Sequence, residues 1–252
     1  MRPNRLRQIW AEGKPVINGW ISLGNPQAAE FFAGCGWDSV TIDGQHGLIG
    51  YSELFAIMQA IVAQPVTPLV RVSWNAPGEI MKALDAGAYG IICPMINSRA
   101  ECEAFVQACR YPPDGYRSFG PTRAAMIAGA DYAAEANGEI LTFAMIETAG
   151  GLEDVEAIAA TPGLDGVYIG PSDLSLALGG KPDQDSQDPM RLAAFDRIQA
   201  ACKAAGIRVG VHTNSVAYSK QMIERGFDLV TVGSDLRYLM GARREVQLMR
   251  EG

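Results

Sequence analysis

Residues 83–94 read A-L-D-A-G-A-Y-G-I-I-C-P. A helix-forming run ends in Ala-Gly, a short turn follows, and an apolar segment stops at a proline. The same order recurs as A-A-C-K-A-A-G-I-R-V-G-V at 200–211 and as M-I-E-R-G-F-D-L-V-T-V-G at 222–233. In each case a glycine closes a helix and a strand begins almost at once. Working outward, strand-length apolar runs fall at 16–22, 39–43, 67–72, 90–94, 140–147, 166–170, 208–211 and 229–233. Runs with no polar alternation suit parallel strands buried on both faces. Between them, 51–63, 100–109, 152–160 and 191–206 carry apolar residues three and four apart, the last closed by Gly206.

Eight strands alternating with helices predict an α/β fold, a closed (β/α)8 TIM barrel occupying residues 1–252 as one domain. Chains of roughly 250 residues fold as a single barrel of this kind. No G-x-G-x-x-G follows the first strand, which removes the main sign of a dinucleotide fold. The connection from 111 to 137 exceeds ordinary loop lengths. Its Arg117 and Arg123 are expected either to meet an acidic substrate or, preferably, to organise a neighbouring subunit.

The formal net charge is −7, which argues against nucleic acid, because phosphate contacts need clustered Lys and Arg. A negative protein that takes an anionic substrate needs a local positive element: a metal, an arginine or a helix N-terminus. Five scattered cysteines with no C-x-x-C pair fit a reduced, cytoplasmic compartment. The basic start M-R-P-N-R-L-R has no apolar segment behind it and is not a signal peptide. No apolar run approaches the ~20 residues of a membrane span.

Barrel chemistry sits where strands end. Strand 2 ends in T-I-D-G-Q-H-G and delivers Asp43 and His46; strand 3 delivers Arg71. Strand 5 delivers Glu147, and strand 6, in Y-I-G-P-S-D-L-S, delivers Asp173. Strand 7 ends at His212 and strand 8 at Ser234 and Asp235. Taken singly, each has a structural explanation: a helix cap for Asp173, an ion pair for Glu147 or Arg71, a turn bond for Asp43 with His46. Structural roles are preferred for His212, Ser234 and Asp235. Taken together, two carboxylates, an arginine and one of only two histidines converge on one rim. Two carboxylates with room for water and substrate oxygens suit Mg²⁺ or Mn²⁺ better than structural zinc. None of Lys14, Lys82, Lys181, Lys203 and Lys220 falls at a strand end, so a Schiff-base mechanism has no lysine to use.

Y-P-P-D-G-Y-R-S-F-G-P-T-R-A (111–124), M-I-E-T-A-G-G-L (145–152), I-G-P-S-D-L-S (169–175), D-A-G-A-Y-G-I-I-C-P (85–94) and I-D-G-Q-H (42–46) carry a resemblance over nearly the whole chain. The set resembles the class II, metal-dependent pyruvate aldolases of the HpcH/HpaI family, which includes 4-hydroxy-2-oxoheptanedioate and 2-dehydro-3-deoxyglucarate aldolases. The resemblance implies reversible aldol cleavage of 4-hydroxy-2-oxo acids to pyruvate or hydroxypyruvate and an aldehyde. It implies Glu147 and Asp173 as ligands of Mg²⁺, Mn²⁺ or Co²⁺, with Gly170, Pro171 and Ser172 beside the bound oxo acid. Arg71 would steady the enolate oxygen. His46, oriented by Asp43, would move protons through a metal-bound water. A homo-oligomer, commonly a hexamer, is expected on the same ground.

Two departures stand out. Gln45 occupies a place where relatives carry Glu, and Met145 one where many carry Gln. Both leave the substrate open. Rival readings keep the barrel: a lyase for malyl- or citryl-CoA thioesters, a metabolite-binding barrel without activity, and a phosphate-binding isomerase. The first usually has more chain after the barrel. The second would need damaged site residues, and the third Gly-rich loops after strands 7 and 8, where H-T-N-S stands instead.

Overall fold

The structure, a computed structural model, describes residues 1–251. Eight parallel strands close into a barrel in chain order: β1 (Val16–Ile21), β2 (Ser39–Asp43), β3 (Thr67–Arg71), β4 (Gly90–Cys93), β5 (Leu141–Ile146), β6 (Gly166–Ile169), β7 (Arg208–Thr213) and β8 (Leu229–Ser234). The expected closed (β/α)8 barrel is what the chain forms. Helices follow the strands and pack outside, and their apolar faces join the outer sheet positions in one continuous core. The helix Pro189–Ala205 ends at Gly206, whose φ of 71° is the left-handed geometry that favours glycine.

A second, smaller core fills the barrel itself. Val16, Trp20, Leu69, Ile92, Leu141, Phe143, Met145, Tyr168 and Leu229 point inward and interlock. The N-terminal helix Arg5–Ala11 closes the lower end, with Leu6 and Trp10 buried in that interior and Trp10 set edge-on to Phe143 at 6.3 Å. Burying a side chain the size of Leu6 contributes roughly 1.5–3 kcal/mol. The basic opening segment is therefore a plug as well as a leader into β1.

The long fourth connection holds two helices, Thr122–Ala128 and Tyr132–Glu139. Arg117 and Arg123, expected at a subunit contact, make these bonds inside the chain. Arg117 pairs with Asp85 at 2.6 Å, donates to Tyr132 at 3.1 Å and lies over the Tyr111 ring. Arg123 donates to the carbonyls of Met58 and Ala86. Both arginines fasten this connection to the helix Pro77–Asp85 and its neighbours, which is why it is long yet ordered.

Register places the chemistry. Asp43 pairs with Arg71 across β2 and β3, and Ile146 pairs with Ile169 across β5 and β6. The residues that follow the second pair, Glu147 and Gly170, therefore stand side by side at the upper rim.

Candidate active site

Arg71 is clamped. Its Nε and Nη2 donate to the two oxygens of Asp43 at 2.9 and 2.7 Å, a bidentate pair whose side chains are 9% and 4% exposed. Trp20 seals it from one side: the guanidinium lies 4.9 Å from the indole centroid, and the indole N–H donates to Asp43 at 3.1 Å. Burial pushes the Asp43 carboxyl up, but the Arg71 hydrogen bonds and charge, with the His46 amide, outweigh it and hold it below the usual value. Arg71 Nη1 finds no partner among the described residues and is left for the mouth of the barrel.

Asp43 meets His46 differently from the sequence expectation. Its Oδ1 accepts from the backbone N–H groups of Gln45 and His46, both at 3.1 Å. The carboxylate shapes the turn and is spent on Arg71; it does not touch the imidazole. The His46 ring is exposed at the rim and makes no hydrogen bond among the described residues. Gln45 points its Oε1 into a buried place with no partner.

Glu147 is 2% exposed and has no salt-bridge partner among the described residues. Its Oε1 accepts from the Met95 amide at 2.8 Å, while Oε2 has no donor among the described residues. Burial pushes its carboxyl up, against the pull of the Met95 amide; the Asp173 charge adds to the rise and Arg71 opposes it. Asp173 lies exposed in the first turn of the helix Pro171–Ala177, whose start receives no side-chain cap. The capping explanation for Asp173 and the ion-pair explanation for Glu147 both lack a contact here. Gly170 makes the arrangement possible: a Cβ at that position would stand 2.5 Å from Glu147 Oε2 and 2.6 Å from Met145 Cε. Met145 belongs to the barrel interior beneath.

The two carboxylates fit a hard divalent cation. Neither makes a salt bridge among the described residues, and a shared positive ion would relieve their mutual repulsion and the cost of burying Glu147. Among the described residues no group of three or more His, Cys, Asp or Glu gathers in metal-binding geometry. A two-carboxylate site leaves further positions for water and substrate, which suits Mg²⁺-like ions. None of the five lysines lies on a barrel strand.

Two supports gave no sign in the sequence. Met95, just after β4, adopts φ 56°, unusual for a residue with a side chain, and so aims its N–H at Glu147. Asn97 holds that turn by donating to the Met95 carbonyl at 2.7 Å, and Thr148 donates to Asn97 Oδ1. Trp20 read only as core. Ser234 and Asp235 are structural, as preferred: Ser234 caps the helix Asp235–Met240, and Asp235 accepts from Ser22 and Leu23 at 2.8 and 3.1 Å. His212 faces inward, its ring 4.8 Å from that of Trp20, with Nδ1 3.2 Å from the Tyr168 hydroxyl. Burial and the Arg71 charge push its pKa down to about 4, so the ring is neutral near pH 7.

Comparison with known proteins gives the chain a family. The sequence profile of the HpcH/HpaI aldolase/citrate lyase family matches residues 17–242. A hydroxypyruvate/pyruvate aldolase of Rhizorhabdus wittichii is 40% identical over 243 residues, covering 96% of this chain and 97% of that one. A 5-keto-4-deoxy-D-glucarate aldolase of Escherichia coli is 34% identical over 248 residues, 97% of this chain and 95% of its own. The crystal structure of an HpcH/HpaI aldolase/citrate lyase family protein from Burkholderia cenocepacia superposes with a TM-score of 0.91 at 34% identity, covering 99% of this chain and all of that one. The chain belongs to the HpcH/HpaI aldolase/citrate lyase family.

Proposed function

We propose that this protein is an aldolase that reversibly cleaves 4-hydroxy-2-oxo acids to pyruvate or hydroxypyruvate and an aldehyde. The observation that carries the reading is one rim on which a counter-ion-free carboxylate pair, Glu147 and Asp173, faces a clamped arginine, Arg71. Carbon–carbon cleavage beside a ketone leaves an enolate, and the site is built to hold negative charge on that oxygen.

Glu147 and Asp173 would hold a divalent cation, Mg²⁺, Mn²⁺ or Co²⁺, which would supply Lewis-acid polarisation of the 2-oxo group. Arg71 directs its free Nη1 at the same oxygen. Because Asp43 and Trp20 fix the guanidinium beforehand, that charge costs no reorganisation when the enolate forms. Gly170, Pro171 and Ser172 lie along the oxo-acid carboxylate, and the missing side chain of Gly170 leaves room for the Glu147 carboxylate. His46, free of other partners at the rim among the described residues, takes the proton from the 4-hydroxyl in cleavage and passes it to C3 of the enolate, and addition runs the same transfers in reverse.

The chain works as one domain, 1–252, in a homohexamer of the cytoplasm, with a 2-oxo acid and an aldehyde as its partners. The helix Ala242–Glu251 supports assembly, since it buries no side chain and leaves Val246, Leu248 and Met249 exposed. Among the described residues no helix is long and apolar enough to cross a membrane. The five cysteines are free, as a reducing compartment keeps them. The test is a cleavage assay that offers 4-hydroxy-2-oxo acids and, separately, malyl- and citryl-CoA, with pyruvate or hydroxypyruvate release as readout. Release from the oxo acids alone supports the reading; turnover of the thioesters alone overturns it.

A further inference from the structure

Beneath the rim runs a chain of buried polar side chains that the reaction above does not use. Asn18, Ser39, Thr41, Tyr168 and Thr231 are all fully buried in the barrel. Asn18 Oδ1 accepts from the hydroxyls of Ser39 and Thr41 at 2.8 and 3.2 Å, which fixes the amide so that its Nδ2 faces Thr231. That Nδ2 donates to Thr231 Oγ1 at 2.8 Å. The remaining neighbour of Thr231 Oγ1 is the Tyr168 hydroxyl at 2.6 Å.

The direction of the chain follows by elimination. An amide NH₂ only donates, so the Thr231 proton has one acceptor, the Tyr168 oxygen. The Tyr168 proton then goes to its other neighbour, His212 Nδ1, at 3.2 Å. A neutral imidazole that accepts at Nδ1 carries its own proton on Nε2. His212 Nε2 has no partner among the described residues and is not sealed from solvent. Burial and the nearby Arg71 keep the ring neutral. Ile169 pairs with Val211, so Gly170 and His212 stand level on β6 and β7. The free N–H is therefore presented beside the segment that lines the substrate.

We propose that His212 is a substrate-recognition residue whose Nε2–H donates to a substrate hydroxyl outside the 2-oxo acid head. This rests on the aldolase reading and deepens it: it makes the site selective for hydroxylated substrates over their deoxy counterparts. The hydroxyl comes either from the oxo acid, as in hydroxypyruvate against pyruvate, or from the aldehyde, as in glycolaldehyde against acetaldehyde.

Two measurements test it. The first is the ratio of kcat/KM for each hydroxylated and deoxy pair, in wild type, His212→Leu and His212→Gln; a ratio is insensitive to the fraction of folded enzyme. Loss of one neutral hydrogen bond corresponds to about a 3- to 10-fold fall. That fall is expected in the leucine variant for one pair, with the glutamine variant, which keeps a donor, near wild type. The pair that responds identifies the source of the hydroxyl. Unchanged ratios in the leucine variant, or equal falls in both variants, overturn the proposal. Wild-type enzyme inactive on every pair removes the aldolase reading and this proposal together. The second measurement is ¹⁵N NMR of histidine-labelled wild-type protein, where two histidines give resolvable signals. A neutral Nε2–H tautomer for His212 is expected; the Nδ1–H tautomer overturns the proposal without reference to activity.

Discussion

Glu147 and Gly170 stand so close across β5 and β6 that a Cβ on residue 170 would lie 2.5 Å from Glu147 Oε2. The φ of Gly170 is −92°, which any residue adopts, so the glycine answers to space and not to backbone strain. Gly170→Ala is expected to displace the Glu147 carboxylate while leaving the barrel intact. Metal affinity falls by at least the ~10-fold typical of disturbed metal-site support, and kcat/KM falls with it. Isothermal titration with Mn²⁺ beside circular dichroism checks this; an alanine variant with wild-type metal affinity contradicts it.

The buried pair of Asp43 and Arg71 should be costly to break. Asp43→Ala leaves a guanidinium uncompensated and is expected to destabilise the fold by roughly 3 kcal/mol. Because the folded carboxyl titrates below 3.8, its contribution is complete above that value and is lost as pH falls through the lower, folded one. Urea melts of wild type and Asp43→Ala should therefore differ at pH 7 and converge at strongly acid pH. A difference that stays constant down to pH 2 contradicts the assignment.

His212 gives the opposite chemistry with the same sign. Its folded pKa is depressed from 6.5 to about 4, so below pH 6.5 protons bind the unfolded chain first and stability drops. At pH 5 that shift corresponds to about 2 kcal/mol relative to neutral pH. His212→Leu should be flatter than wild type between pH 7 and 5 in the same melts. Parallel pH profiles contradict a ring held neutral by its surroundings.

Met95 holds its amide on Glu147 at the expense of a left-handed backbone. Met95→Gly keeps the N–H and removes that strain, so its stability should match or exceed wild type by up to ~1 kcal/mol with activity retained. Asn97→Ala, which frees the Met95 carbonyl, should lose about 1 kcal/mol and lower kcat. Thermal melts and steady-state kinetics of both variants decide this. Equal loss in the two would mean that the methionine side chain, not the turn, matters.

The barrel was legible because its signal is repeated. Eight apolar runs and three glycine-closed helix ends such as the one at Gly206 all say the same thing, and parallel strands buried on both faces cannot alternate. Asp43, Arg71, Glu147 and Asp173 were legible because charges at strand ends are rare and strand ends share one rim. What stayed hidden depends on distance between elements. Asp43 accepts from Arg71 and Trp20 on neighbouring strands, a choice that the local D-G-Q-H spacing obscures. Met95 has no residue type that announces a positive φ, and Arg117 and Arg123 look like surface cations until Asp85, Tyr132 and Met58 are placed beside them. His212 reads as a structural residue until Tyr168, forty-four residues earlier, fills the space next to it.

The central claim is that Glu147 and Asp173 hold the cation on which enolate formation depends. Its most direct test is retro-aldol release of pyruvate from a 4-hydroxy-2-oxo acid by enzyme stripped with chelator, then supplied with Mg²⁺ or Mn²⁺, beside Glu147→Gln. Release should stop on stripping, return with either ion, and fail to return in the variant. Release that ignores the chelator but is abolished by borohydride in the presence of substrate would mean a Schiff base on a lysine, and would contradict the account.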